Sequence, residues 1–494
     1  MTRILAGTFV SLVSLIVHAQ REPESSRVYL GAEFESAVVD SPTLLLRERR
    51  LTDAADSLRY WNQVAIDASG LDHTPLQPGE QRVFGHQLGP GRASKAIAIV
   101  HIAIFDAVNS IVGGYRSYTG IPRTFGDVSV DAAIAQAAHD TLVSQFPSMK
   151  PQFDELLRRD VRLIEPRRPL PTLRGLLVGK RAALAILAKR ANDGSDQTDP
   201  LMDGGYPGTD APGEWRQDPI SLVPIALGWK WGAVKPFVMR SGTQFRAPPP
   251  PAMTSLAYAA AYNEVTSLGG DDDATPTDRT AEQTQIGIYW AYDGTPSLCA
   301  PPRLYNQLVT EISKRSSNVV KLARLYALTN VAMADAGIAI WESKFHYKLW
   351  RPITGIREGD RDGNAATIHD PTFTPLGAPA SNLAGPNFTP PFPAYPSGHA
   401  GFGGALFQIL RNFYGTDRVA FTFVSDELNG VTKGNDGVAR PLVPRSFDSF
   451  SQAEEENGQS RIYLGIHWAY DKTEGIAQGR RVANYVYRNA FQPR

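Results

Sequence analysis

The chain runs to 494 residues, 42% hydrophobic and 20% charged, ordinary for a globular protein and long enough for two domains or one large one. Fifty basic residues balance fifty acidic ones, so no global field favours nucleic acid or an anionic membrane. Any anion site must come from a local concentration of cations. The single cysteine, Cys299, excludes an intramolecular disulfide and argues against a thiolate metal site.

The N-terminus reads MTRILAGTFVSLVSLIVHAQ, with Arg3 before an apolar run from Ile4 to Val17 and a small-residue cleavage site at Val17-His18-Ala19. This pattern predicts a cleaved signal peptide over residues 1–19 and a secreted or periplasmic protein. No later segment is expected to approach membrane-spanning length, so the mature protein should have no membrane span. From Ser94 the helical period dominates. SKAIAIVHIAIFDAVNSIVGG is small and apolar almost all round and predicts a buried helix ending at Gly113-Gly114. DVSVDAAIAQAAHDTLVSQF and TLRGLLVGKRAALAILAKRAND follow with the same spacing.

Between Asp193 and Pro251 the chain is rich in Gly, Pro and Asp and predicts a long solvated loop without calcium-loop spacing. Helices resume at Thr254. SNVVKLARLYALTNVAMADAGIAIWESKFH is the longest periodic run. An irregular stretch from Gly355 to Pro396 leads into HAGFGGALFQILRNFYG and then into a helix expected to hold His467. Period-2 alternation bounded by hairpin turns is not evident. The fold class is mainly α, with two helical bundles: an N-terminal domain over 20–252 and a C-terminal bundle over 253–494 that carries the active site.

Three clusters carry chemistry. In KFHYKLWRP, Lys344 and Arg351 lie two helical turns apart, about 10 Å along one side. Pro352 disfavours helix at Arg351, so Arg351 can turn inward. The plain alternative is a pair of solvated cations at a helix end. In Pro-Ser-Gly-His, Ser397 is a natural N-cap, Gly398 permits close approach of an anion to the helix N-terminus, and His399 can exchange protons there. An ordinary capped helix start reads the same way. In SRIYLGIHWAYD, His467 and Asp471 are four apart and would share a helix face, the carboxylate orienting the ring. Arg461 adds a planar fork suited to oxyanions. A buried histidine satisfied by its neighbour is the bland reading. Together the clusters suit phosphate or vanadate.

The order Lys-x6-Arg-Pro, Pro-Ser-Gly-His, Ser-Arg-x5-His-x3-Asp resembles the signature of vanadium-dependent haloperoxidases and of the superfamily of type 2 phosphatidic acid phosphatases and bacterial acid phosphatases. WESKFHYKLWRP, PPFPAYPSGHA and YWAYDGTPSLCAPPRLYNQ are similar to the fungal vanadium chloroperoxidases; the exported N-terminus and shorter chain depart from them. The resemblance implies vanadate as cofactor and hydrogen peroxide and halide as substrates, with a small organic acceptor as an option. It implies His467 as the vanadium ligand oriented by Asp471. Lys344, Arg351, Ser397, Gly398 and Arg461 would hold the oxygens, His399 would act as acid/base, and Lys344 would polarise the peroxide. Trp341 and Phe392 would stand near the halide.

One echo remains: GIYWAYDGT (Gly287 to Thr295) nearly repeats GIHWAYDKT (Gly465 to Thr473), with Tyr289 where the second has His467. The resemblance implies that Asp293 pairs with Arg461. The same residues could run an exported phosphatase through a phosphohistidine on His467, and a non-catalytic helical scaffold is the reading from another class.

Overall fold

A computed structural model describes residues 25–34, 53–164 and 168–494. The leader expected over residues 1–19 lies outside these. The N-terminal half builds α1 (Ser26–Leu30), α2 (Ala54–Asp72), α3 (Gly89–Val112), α4 (Val130–Gln145), α5 (Lys150–Ile164) and α6 (Pro169–Arg190). Capping follows local chemistry: Asp53 accepts from Asp56 N–H and Ser129 from Ala132 N–H. Helix α3 stops at Gly113, whose φ of 85° suits glycine. Contrary to the sequence expectation, α3 is long and apolar enough to cross a membrane. Most of it is buried between α4, α6 and the C-terminal half, and so it is the core helix.

The long connection between Asp193 and Pro251 is irregular as expected, with 3-10 turns at Trp231–Ala233 and Gly242–Phe245. It is not simply solvated. Asp199 pairs with Arg92 of α3 at 2.8 Å, Asp193 with Arg190 of α6 at 2.8 Å, and buried Asp218 accepts from Ser221. Cations on the buried faces of α3 and α6 need counter-charges, and the loop's carboxylates supply them.

The C-terminal half contains α7 (Leu256–Leu268), α8 (Ala281–Tyr289), α9 (Pro302–Ile312), α10 (Val319–Tyr347), α11 (Pro352–Arg357) and α12 (Gly398–Tyr414). A hairpin of β1 (Phe421–Asn429) and β2 (Leu442–Phe447) follows, then α13 (Phe450–Tyr463) and α14 (Ala469–Asn489). The hairpin corrects the sequence reading. Phe421, Phe423 and Ser425 do alternate inward, paired in antiparallel register from Phe421 opposite Phe447. The connection between the strands is long, so no tight-turn signal marked them.

Helix α10, 29 residues long, packs α3 on one side and α12 and α14 on the other. One apolar core therefore runs through both halves. Small residues set the α12–α14 distance. A Cβ on Gly479 would overlap the Gly401 carbonyl oxygen, one on Gly404 would come within 2.6 Å of the Ile476 oxygen, and one on Gly475 within 2.7 Å of the Ser397 oxygen. This close seam sets the starts of α12 and α14 side by side, also tied by Ser397 N–H donating to the Asp471 carbonyl at 3.0 Å.

Candidate active site

Helix α10 ends at Tyr347, where Lys348 takes a left-handed conformation. Arg351 then follows in extended geometry as the residue before Pro352. Lys344, one turn before the end, is fully buried and donates from Nζ to the Pro393 and Ala394 carbonyls at 2.7 and 2.9 Å. Arg351 donates from Nε to Phe392 O at 2.9 Å and from Nη1 to Ile466 O at 2.8 Å. Both cations stand over the Phe392 ring, Lys344 Nζ at 5.1 Å and the Arg351 guanidinium carbon at 5.0 Å from its centroid. Trp341 packs on Phe392 at 5.0 Å and anchors its indole N–H on Leu227 O.

Ser397 caps α12 by accepting from Ala400 N–H at 3.4 Å, and Gly398 and His399 open the helix. His399 Nε2 is bound to the Ala291 carbonyl, so that nitrogen carries the proton and Nδ1 presents a lone pair. Its backbone carbonyl accepts from Tyr305 OH and Asn457 at 2.8 and 3.2 Å, which fixes the first turn.

His467 corrects the sequence reading: it sits in the bend before α14, not on a helix. The pairing with Asp471 survives for a different reason. Asp471 is in the first turn of α14, and its Oδ2 reaches back to Trp468 N–H at 3.0 Å and to His467 Nδ1 at 2.8 Å. Nδ1 therefore carries the proton. The Nε2 lone pair accepts from Arg351 Nη1 at 3.0 Å. On α13, Arg461 donates from Nη2 to both Asp293 oxygens at 2.8 Å. Asp293 Oδ1 is also 3.8 Å from His399 Nδ1.

Asp293, Trp341, Phe392, Gly398, His399, Arg461 and His467 line one cavity of about 700 Å³, counting its open mouth. Lys344 and Arg351 back it through Phe392, and Asp471 through His467. Within this buried group three cations face two carboxylates. Burial, then Arg351, Lys344 and Arg461, hold His467 well below the usual imidazole range. Burial and Arg461 do the same for His399. Burial lowers Lys344 well below the usual ammonium range and Arg351 to about 9. It raises Asp293, and raises Asp471 to about 7. Both shifts favour the neutral ring.

The donor set fits a tetrahedral oxyanion. Among the described residues Arg461 Nε and Nη1 are buried N–H donors with no partner, and leaving such groups unmet costs about 1–3 kcal/mol each or more when charged. Lys344 has used two of its three donors. An oxyanion supplies the missing acceptors and the missing negative charge. A bare divalent cation would meet three like charges.

The sequence reading missed several residues of this site. Tyr29 and Leu30 of α1, and Phe34 just beyond, form an N-terminal strap that lines the same cavity with Leu383 and Phe388. A five-residue helix leaves no periodic signal. Tyr305 and Asn457 were missed because their work is done on a backbone carbonyl. The echo phrase divides in role: Tyr289 donates to Phe423 O at 2.8 Å, bracing the hairpin, while Asp293 reaches the site.

The chain is 30% identical to the vanadium chloroperoxidase of Curvularia inaequalis, the match covering 83% of this chain and 78% of that protein. The chain belongs to the vanadium haloperoxidase family. Residues 324–493 match the family model of the second helical-bundle domain of vanadium chloroperoxidase, the part that carries Lys344, Arg351, Ser397, His399, Arg461 and His467. A crystal structure of a bacterial vanadium-dependent iodoperoxidase shares the fold at a TM-score of 0.70 and 22% identity, over 90% of this chain and 99% of that one. An apo bacterial vanadium-dependent chloroperoxidase does so at 0.61 and 18%, over 82% and 96%.

Proposed function

We propose that this member of the family binds vanadate in the cavity and uses hydrogen peroxide to oxidise bromide, and also iodide or chloride, to the hypohalous acid. The observation that carries the reading is the buried convergence of Lys344, Arg351 and Arg461 around His467 and His399, with two Arg461 N–H groups lacking acceptors among the described residues. Bound vanadate would supply a Lewis-acidic metal that withdraws charge from peroxide and makes an oxygen electrophilic toward halide.

The chain's own residues provide the rest. Asp471 holds the proton on His467 Nδ1, which leaves the Nε2 lone pair as the ligand atom and raises its basicity. Arg351 Nη1, now bonded to that lone pair, must turn to an oxyanion oxygen when Nε2 is used. Arg461, steadied by Asp293, and Lys344 balance oxygen charge, and the Gly398 N–H at the start of α12 adds its dipole. His399 Nδ1 is the base atom: neutral and fixed through Nε2, it accepts a proton from peroxide and returns it to the departing oxygen. Trp341 and Phe392 provide the apolar wall beside which a weakly hydrated halide would stand.

Vanadate-loaded protein should brominate a phenol dye in the presence of peroxide, and omission of orthovanadate should abolish turnover. Absence of turnover with both bromide and iodide sinks the proposal. Faster hydrolysis of p-nitrophenyl phosphate than halide oxidation would instead mark a phosphatase, with His467 as nucleophile.

A further inference from the structure

Helix α6 buries one face on α4 and α3, and among the described residues nothing covers the opposite face. On that face Leu170, Leu173, Leu177 and Leu184 are 54–60% exposed. At 100° per residue these four fall within an arc of about 60°. Exposed Arg174 and Arg181 flank the stripe on one side and Lys180 on the other, with Lys189 beyond. No Asp or Glu occurs in α6. The loop beside Arg174 and Arg181 extends the patch. Arg181 donates to Thr124 at 2.7 Å, and Phe125, next in the chain, is 82% exposed beneath the Arg123 guanidinium. Leu163, at the end of α5, is also exposed. Asp127 in that loop is paired with Arg168.

We propose that this face docks peripherally on an anionic lipid surface. The leucines and Phe125 would enter the acyl boundary, and the flanking cations would meet lipid phosphates, as an interfacial helix does. Charge decides the occupant. A second copy placed face to face would oppose cations with cations, whereas anionic headgroups complement them. The chain's overall neutrality does not bear on this, because the positive charge is local.

The test is pelleting of the full chain with sucrose-loaded vesicles of phosphatidylcholine, with or without about 30% phosphatidylglycerol. Binding should require the anionic lipid and weaken at about 0.5 M salt, where screening shortens the reach of surface charge. The variant L173S/L177S should bind at least about tenfold more weakly, with unchanged circular dichroism because both side chains are exposed. R174E/R181E should lose binding as well. Equal binding of wild type and L173S/L177S overturns the proposal. No binding to the anionic vesicles overturns it, as does a dimer in sedimentation that L173S/L177S dissolves.

Discussion

Asp293→Ala removes the carboxylate that accepts from Arg461 Nη2 at 2.8 Å through both oxygens. Arg461 is 1% exposed, and its Nε and Nη1 already lack partners. The variant therefore leaves the guanidinium without any side-chain acceptor, and the buried group changes from three cations against two carboxylates to three against one. Breaking a buried ion pair on one side costs about 3–5 kcal/mol. With an unfolding entropy of about 2.1 cal/mol/K per residue, a chain of 494 residues loses about 3–5 °C in Tm. An oxyanion at a hundred times its Kd returns about 2.7 kcal/mol to the wild type, or about 3 °C. It should return more to the variant, because it then supplies the charge that Asp293 supplied. Calorimetric scans with and without orthophosphate or orthovanadate read both effects. An unchanged Tm without oxyanion, or an equal oxyanion shift in the two proteins, would refute the argument that Asp293 serves to offset Arg461.

His467→Ala should lose vanadate retention in equilibrium dialysis. His399→Ala should retain vanadate yet lose about 100-fold or more in halide oxidation, the usual scale for a proton-transfer residue; the reverse pattern exchanges the two roles. Gly479→Ala should cost about 1–3 kcal/mol by overpacking, since the new methyl meets the Gly401 carbonyl. It should also weaken oxyanion binding by shifting α14, and His467 just before it, against α12. Stability with unchanged oxyanion affinity in denaturant melts and titrations would show that the seam does not set the site. Buried His101 is lowered to about 3 by desolvation, so only the unfolded chain takes its proton near pH 6. Its stabilising contribution is complete above about 6.5 and falls by about 1.4 kcal/mol per pH unit below that, down to the folded value. His101→Gln should lower the pH slope of urea-derived stability by about half a proton on average between pH 7.5 and 5.5, rising to about one proton below that, and an unaltered slope would count against it.

The local physics of the helices is legible in the chain. Small and apolar runs mark α3, α10 and α12, and Ser397 marks a cap, but the two helical turns expected between Lys344 and Arg351 do not form, because α10 already ends at Tyr347 and Arg351 stands extended before Pro352. The three polar clusters are also legible, because each is a short segment whose residue types carry their own chemistry. Other features were hidden for physical reasons. The β1–β2 alternation lacked a tight turn, and the acidic loop looked solvated because Arg92, the partner of Asp199, is far away in sequence, while Arg190, three residues before Asp193, reads as an ordinary helix-end cation. The His467–Asp471 pair was expected from helical spacing, yet it forms because a first-turn carboxylate reaches back across a bend.

What the sequence determined by itself is therefore the set of donors, most of the helices around them and their suitability for an oxyanion. Only the tertiary structure decided how they converge: the glycine seam of α12 and α14, the strap of Tyr29, Leu30 and Phe34, and the bond from Arg351 to His467. Those depend on side-chain volume and burial between segments that are distant in the chain. A one-dimensional pattern records neither which surfaces meet nor which charges are left without partners when they do.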